Sequence, residues 1–205
     1  MSTRRQPHPA FDRSEDYQRR RQAMVQTAAY LFNRSGFHAT SIGEIVAELG
    51  VSKAALYYYF ADKTDLLYHC HLQSVENGEA LAEAAAAGGG SGLQKLETYI
   101  RTQFDALVRK EGAAWVLGDI SLLRPEQRED VRHRSRRVDG LVRGFIEDGI
   151  ADGSIACAEP RITEYFLMGA INWLPRWYRP ELGQSAEQLA EIFLHFALDG
   201  LRPRG

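Results

Sequence analysis

Cysteine is nearly absent from this chain: Cys70 and Cys157 are the only two, far apart and without metal-ligand spacing. No disulfide framework, zinc site or redox pair is expected, and both thiols read as buried or incidental. Long apolar runs are missing as well. Nowhere do the ~18 consecutive apolar residues of a membrane span occur. The arginines of the opening Met1-Ser-Thr-Arg-Arg-Gln-Pro are followed by no apolar segment of the kind a secretory signal needs. The expectation is a cytoplasmic protein with no membrane partner. Charge of one sign is also lacking, because the formal net charge is only −2. It is unevenly spread, however. Residues 1–63 hold nine Lys and Arg against six Asp and Glu, and the remainder is acidic. A local basic bias of that kind is a weak pointer towards nucleic acid.

Catalytic constellations are missing too. His69, His71, His133 and His195 stand among many carboxylates, yet no metal-ligand spacing, nucleophile motif or carboxylate pair emerges. Neither an enzyme nor a metal protein is expected. Gly88-Gly89-Gly90-Ser91-Gly92 invites comparison with a phosphate-binding loop, but it follows no strand and does not continue as Gly-Lys-Ser/Thr. It reads as a connection between helices.

Helical periodicity is what the chain does have. The polar, Arg-rich leader with Pro7 and Pro9 shows no hydrophobic period, so residues 1–16 read as a flexible N-terminal arm. From about Tyr17 to Ser35, the positions Val25, Ala28, Ala29 and Phe32 have amphipathic spacing and Gly36 stops the helix. Ser41 and Glu44 form a capping-box signature ahead of a short helix from Ile42 to Leu49, which Gly50 ends. Ser52 is placed to cap a third helix from Lys53 to Phe60, and Asp62 a long linking helix that runs to Ala87. Further helices are predicted at about Leu93–Lys110, Ala113–Leu123, Pro125–Ile150, Pro160–Tyr178 and Ser185–Asp199, the last opened by a second capping box of Ser185 and Gln188. The fold class is all-α with about nine helices.

Residues Thr40 to Phe60 spell helix, glycine-containing turn and second helix at helix-turn-helix spacing. Ile45, Val46 and Leu49 must pack on Leu56 and Phe60, which leaves the opposite face of the second helix free. At ~100° per residue, Ala54, Ala55 and Tyr58 point to the groove side, with Lys53, Tyr57 and Tyr59 on the flanks within reach of phosphates. The small alanines let the helix seat deeply, and their methyls can touch thymine methyls. Thr40, Ser41 and Ser52 sit at helix N-termini suited to phosphate oxygens, and Lys63 is a further phosphate candidate.

These residues resemble the TetR/AcrR family of transcriptional regulators. The resemblance runs through Ala28-Ala29-Tyr30-Leu31-Phe32, Gly36-Phe37, Thr40-Ser41, Gly50-Val51-Ser52, Leu56-Tyr57, Tyr59-Phe60, Lys63 and Leu66-Leu67. It implies that Thr40, Ser52, Tyr57, Tyr59 and Lys63 contact the DNA backbone, and that Lys53, Ala54 and Tyr58 vary with the operator. Val46, where alanine is usual, and Ala54, where glycine is frequent, are small departures. The implied organisation is a helix-turn-helix DNA-binding domain over 17–63 and a ligand-binding and dimerisation domain over 64–205. Its partners would be a double-stranded palindromic operator, a second copy of the chain and a small-molecule effector, with no cofactor.

In the second domain, Phe166, Met168, Gly169, Ile171, Trp173 and Leu174 spread apolar groups around more of one helix than a core-facing stripe needs. Leu189, Ile192, Phe193, Phe196 and Leu201 supply a matching stripe, so Phe166, Leu189, Ile192, Phe193 and Phe196 read as a four-helix interface between two chains. The segment from Gly169 to Pro180 resembles the penultimate helix of regulators that respond to acyl-CoA thioesters. That resemblance makes Trp115, Phe145, Trp173 and Trp177 candidate pocket walls. Arg176, or the stripe Arg128, Arg132 and Arg136, is then a candidate for phosphate groups. Two other readings stay open: a regulator of an efflux or stress gene that answers to an apolar or cationic drug-like ligand, and a helical interaction module that does not bind DNA.

Overall fold

The computed structural model describes residues 9–108, 120–178, 181 and 183–198, with side chains from Glu15 onward except those of Pro175 and Arg176. Among these residues every regular element is helical, because the apolar positions recur at the helical period throughout. In chain order they are α1 (Pro9–Ser35), α2 (Ile42–Leu49), α3 (Lys53–Tyr59), α4 (Lys63–Ala87) and α5 (Gly92–Val108). A single 3₁₀ turn (Ile120–Leu122) then precedes α6 (Pro125–Ala151), α7 (Pro160–Trp177) and α8 (Ala186–Leu198).

Two expectations need correction. The first helix begins at Pro9 rather than Tyr17, so half of the expected arm is helical. Proline is tolerated in a first helical turn, where its missing N–H has no partner to lose. The helix expected over Ala113–Leu123 lies outside the described residues up to position 119, and Ile120–Leu122 form only the 3₁₀ turn. Arg124, held extended at φ −60° and ψ 152°, cannot continue a helix because the ring of Pro125 crowds the residue before it.

The caps read from sequence are formed. Ser41 Oγ accepts from the Glu44 amide at 3.1 Å while Glu44 Oε2 accepts from the Ser41 amide at 2.6 Å. Gly50 takes the left-handed conformation at φ 66°, which ends α2. Ser185 and Gln188 make the corresponding pair of bonds ahead of α8. An additional box, Ser91 with Gln94, opens α5.

Two apolar cores result. One joins α1, α2, α3 and the start of α4 through Val25, Ala28, Phe32, Ile45, Leu56, Phe60, Leu66 and Leu67. The other joins the end of α4 to α5, α6, α7 and α8 through Ala82, Leu96, Ile100, Val142, Ile146, Ile171, Leu194 and Leu198. Helices α4 and α6 take part in both, α6 lending Val131 to the first core and Val138 to the second.

The glycine run is explained by packing. The amides of Gly92 and Leu93 donate to Asp152 Oδ2 at 2.8 Å and Ser154 Oγ at 3.2 Å, so this helix start is already satisfied by the turn after α6. A Cβ at Gly92 would collide with the backbone of Gly149 and the carbonyl of Phe145. Gly92→Ala should therefore lower unfolding stability by about 1 to 3 kcal/mol, the usual cost of overpacking a contact that cannot yield. Gly43→Ala, whose new methyl meets only Ser41 Oγ at 3.5 Å, is the control. Chemical denaturation of both variants checks this.

Candidate DNA interface and effector cavity

The reading head is built by α2, α3 and their caps. Ser52 Oγ accepts from the Ala55 amide at 3.1 Å, which starts α3, and Leu56 and Phe60 anchor its inner side at 1% and 2% exposure. Lys53, Ala54, Tyr57 and Tyr58 are exposed on the opposite side, Tyr58 at 75%, and Ala55 is half-buried between them. Ser41 and Ser52 are exposed at the two helix N-termini. Tyr59 is half-buried, its ring 4.6 Å from that of Tyr17 on α1, and Tyr17 meets Tyr58 edge-on at 6.2 Å. Tyr17 was not singled out from sequence. It continues the stripe of Arg21, Met24 and Ala28 by one more turn, and that spacing would have found it. Lys63 Nζ lies 4.3 Å above the Phe37 ring. Burial there lowers its pKa, while the Glu44 carboxylate acts in the opposite direction.

Thr40 does not belong to this surface. It is 2% exposed, and its hydroxyl donates to the Leu31 and Gly36 carbonyls at 3.2 and 2.9 Å, which ties the end of α1 to the start of α2. Its hydroxyl is spent on closing the end of α1.

Polar fastenings join this head to the rest of the chain. Asp62, the cap of α4, pairs with Arg124 at the start of α6. Tyr68 donates to Asp130 Oδ2 at 2.6 Å, and Arg134 holds the same oxygen at 2.9 Å. Burial, with the Asp130 contact, pushes the Tyr68 hydroxyl up to about 12. On the α1 side, Arg21 lies over Phe60 and reaches His69 Nδ1 at 2.6 Å. Burial and that guanidinium hold the His69 pKa down.

Above these fastenings α4, α5, α6 and α7 enclose a cavity of about 580 Å³. Its wall comprises His71, Ser74, Val75 and Gly78 of α4, Tyr99, Gln103 and Leu107 of α5, Val131, Ser135, Val138 and Asp139 of α6, and Met168 and Asn172 of α7. Ile120 also contributes. Arg132 and Arg136, both exposed, complete the lining. Two members of the arginine stripe seen in sequence thus stand at the cavity, whereas Arg128 does not line it.

The aromatic candidates fare differently. Phe145 is buried in the core at 4% exposure, 6.5 Å from the Tyr99 ring, and lines no part of the cavity. Trp173 and Trp177 are 57% and 47% exposed on the outer side of α7 and also take no part in the wall. Trp115 and the side chain of Arg176 lie outside the described residues. The i, i+4 spacing of Trp173 and Trp177 reports one helix face, and that face is the outer one.

Exposed apolar side chains gather on the outer sides of α7 and α8. Ile162, Tyr165, Phe166, Trp173 and Trp177 of α7, together with Ile192 and Phe196 of α8, are all exposed, Phe166 at 75% and Phe196 at 80%. Leu189 and Phe193 separate from them. Leu189 is 8% exposed in the core, and Phe193 packs 5.1 Å from Phe104. Leu189 belongs to the interior of the single chain, and Phe193, half-buried, packs against it on the side of α8 that faces α5.

Sequence comparison agrees with this geometry. Residues 25–70 match the family described as bacterial regulatory proteins, tetR family, and residues 89–201 match the tetracyclin repressor-like C-terminal domain. The chain belongs to the TetR family. It is 25% identical over 198 residues to the HTH-type transcriptional repressor KstR2 of Rhodococcus jostii, across 95% of this chain and 97% of that one. The structure of the TetR regulator PfmR from Thermus thermophilus superposes with a TM-score of 0.76 at 26% identity, covering 88% and 99% of the two chains. AibR, solved in complex with isovaleryl coenzyme A and operator DNA, shares the fold with a TM-score of 0.74 at 21% identity over 86% and 97%. This chain is thus a TetR-family transcriptional regulator. No described helix is long and apolar enough to cross a membrane.

One acidic pair beside the cavity was not legible in sequence. Glu164, one turn before Met168, is 1% exposed, and its Oε2 accepts no hydrogen bond among the described residues. Burial first, then the nearby Asp139, raises its pKa to about 7, while Arg143 and Arg161 pull the other way. Asp139 is itself raised by burial. A carboxyl that binds its proton more tightly folded than unfolded stabilises the fold below its unfolded pKa, and that contribution is lost as pH rises through the folded value. Glu164→Gln should therefore melt at or near the wild-type temperature at pH 4.5. It should melt about 3 °C higher at pH 8, a shift of ~1 kcal/mol for a chain of this size. Thermal unfolding across that range checks the sign.

Proposed function

We propose that two copies of this TetR repressor grip an inverted-repeat operator with their α3 helices in major grooves one turn apart, and that an acyl-CoA thioester releases them. The DNA contacts assigned are Ser41, Ser52, Lys53, Tyr57, Tyr59 and Lys63 to the backbone, with Ala54, Ala55 and Tyr58 towards the bases. The exposure of Lys53, Ala54, Tyr57 and Tyr58 on one side of α3 supports the assignment. Tyr58 should set base preference, so Tyr58→Ala should lose about 1 to 3 kcal/mol of discrimination between operator and mutated sites. Lys63→Ala should weaken all sequences alike and flatten the salt dependence by about one unit. Titration by fluorescence anisotropy at several salt concentrations separates the two outcomes. Equal affinity for operator and random DNA in the wild type would sink the proposal.

The dimer is assigned to the outer face of α7 and α8, with Phe166, Ile192 and Phe196 at its centre. A contiguous exposed apolar patch is what an isologous interface buries.

The effector reading rests on one observation: Arg132 and Arg136 stand at a largely apolar cavity of about 580 Å³. That volume suits an acyl group, and guanidinium groups at its edge suit the phosphates of a coenzyme A lying outside it. AibR, which shares the fold, holds isovaleryl coenzyme A. Binding between α4 and α6 can alter the separation of the reading heads, and a coupling of ~1 to 3 kcal/mol gives roughly 5- to 150-fold release. Titrating the operator complex with short, long and aromatic acyl-CoAs, against free CoA and free acids, tests this. Replacing both Arg132 and Arg136 with alanine should weaken the effective thioester about tenfold or more, since each charge-assisted hydrogen bond is worth about 1.5 to 3 kcal/mol. If no thioester shifts binding beyond CoA alone, the cavity serves another ligand class.

A further inference from the structure

We propose that the inner end of the effector cavity recognises a hydroxyl group, so that the effective ligand is a hydroxylated acyl chain or ring rather than a plain hydrocarbon. This rests on the effector reading above and narrows it.

The observation that carries it is Gln103. Its side chain lines the cavity at 1% exposure, yet Oε1 accepts no hydrogen bond among the described residues. A buried amide oxygen without a donor is unfavourable, and a wall meant only for an alkyl chain would hold leucine at this position. Tyr99, one helical turn earlier on α5, also lines the cavity, and the contact of its hydroxyl is with Met168 Sδ at 3.9 Å, a weak acceptor. Asp139 of α6 lines the same cavity and is half-buried. Gln103 Oε1 and the Asp139 carboxyl thus offer acceptors, and the Tyr99 hydroxyl can both donate and accept. A hydroxyl, which donates one bond and accepts others, complements that set.

An ammonium would also satisfy the acceptors, but the cavity edge argues against it. Arg132 and Arg136 favour an anionic ligand and repel a cation on entry. Burial also raises the Asp139 carboxyl, so the cavity carries less negative charge than an ordinary carboxylate would give it. The ligand that fits has an anionic end outside and a neutral donor inside.

The test uses the full-length protein and a series of decanoyl-CoAs in which one hydroxyl is moved along the chain, each compared with decanoyl-CoA by isothermal titration calorimetry. One hydroxylated member should bind at least tenfold tighter than the parent, about 1.4 kcal/mol. In Gln103→Leu that preference should fall below threefold while the affinity for decanoyl-CoA is kept or improved. The same variant should melt no lower than the wild type without ligand, because the unmatched oxygen is gone. Gln103→Met, which preserves side-chain length, guards against a packing artefact and should lose the preference too. Equal or tighter binding of decanoyl-CoA by the wild type overturns the proposal, as does a preference that survives in both variants. If no CoA ester binds, the thioester reading fails separately. Free decanoate against its hydroxy derivatives then decides the hydroxyl question, and equal binding or none overturns it.

Discussion

The packing of α4 against α6 is the constraint on which the rest depends. Neither core is complete without α4: its first turns supply Leu66, Leu67 and Cys70 to the reading head, and its later turns supply Ala82 and Ala85 to the second domain. Helix α6 crosses the same boundary with Val131 on one side and Val138 and Val142 on the other. Where the two helices approach the DNA-binding end they are fastened by Asp62 with Arg124 and by Tyr68 with Asp130. Farther along, both helices line the cavity. A ligand that spreads them at the cavity must either strain those fastenings or carry the start of α4 with them. The start of α4 cannot move alone, because Leu66, Leu67 and the Arg21 to His69 contact lock it to α1 and through α1 to α3. In the proposed release, the reading head would therefore follow α4 as one body when the cavity is occupied.

How far the sequence disclosed this differs by element. The helix-turn-helix was legible nearly to the residue, because short helices depend on local chemistry: a serine cap, a glutamate three residues on and a left-handed glycine are all written within a few positions. The long helices were legible in extent for the same reason, with Pro125, Pro160 and the Ser185 box marking their starts. Pro9 was passed over because the turns it opens carry no apolar stripe, and a helix without one leaves little trace in a hydrophobic pattern.

The site itself was less legible, and the errors share a cause. Phe145, Trp173 and Trp177 were read as cavity walls because aromatic residues suit apolar ligands, but composition does not say which side of a helix faces inward. On α7 the inward side carries Leu167, Ile171 and Leu174, with Met168 and Asn172 turned to the cavity, and the tryptophans fall on the outside. Thr40 was misread for a related reason, since a hydroxyl near a helix N-terminus can serve a phosphate or a neighbouring carbonyl, and only the position of Leu31 and Gly36 decides. Gln103, Asp139 and Glu164 come from three different helices, and no spacing along the chain links them. The arginine stripe was visible because a four-residue repeat is a property of one helix.

Helix α7 carries two surfaces at once, and this joins the effector to the dimer. Met168 and Asn172 look into the cavity, while Phe166 and Trp173, one residue or two away, look outward across the proposed interface. Side chains so close in sequence are fixed to one rigid helix, so a ligand that shifts Met168 shifts Phe166 with it. Two copies joined through such helices would respond together, because a patch that is self-complementary in one arrangement of α7 is mismatched when only one partner moves. Coupling of this kind does not need a signal to travel the length of the protein. It needs only that one helix be too stiff to present an altered inner face and an unaltered outer face at the same time.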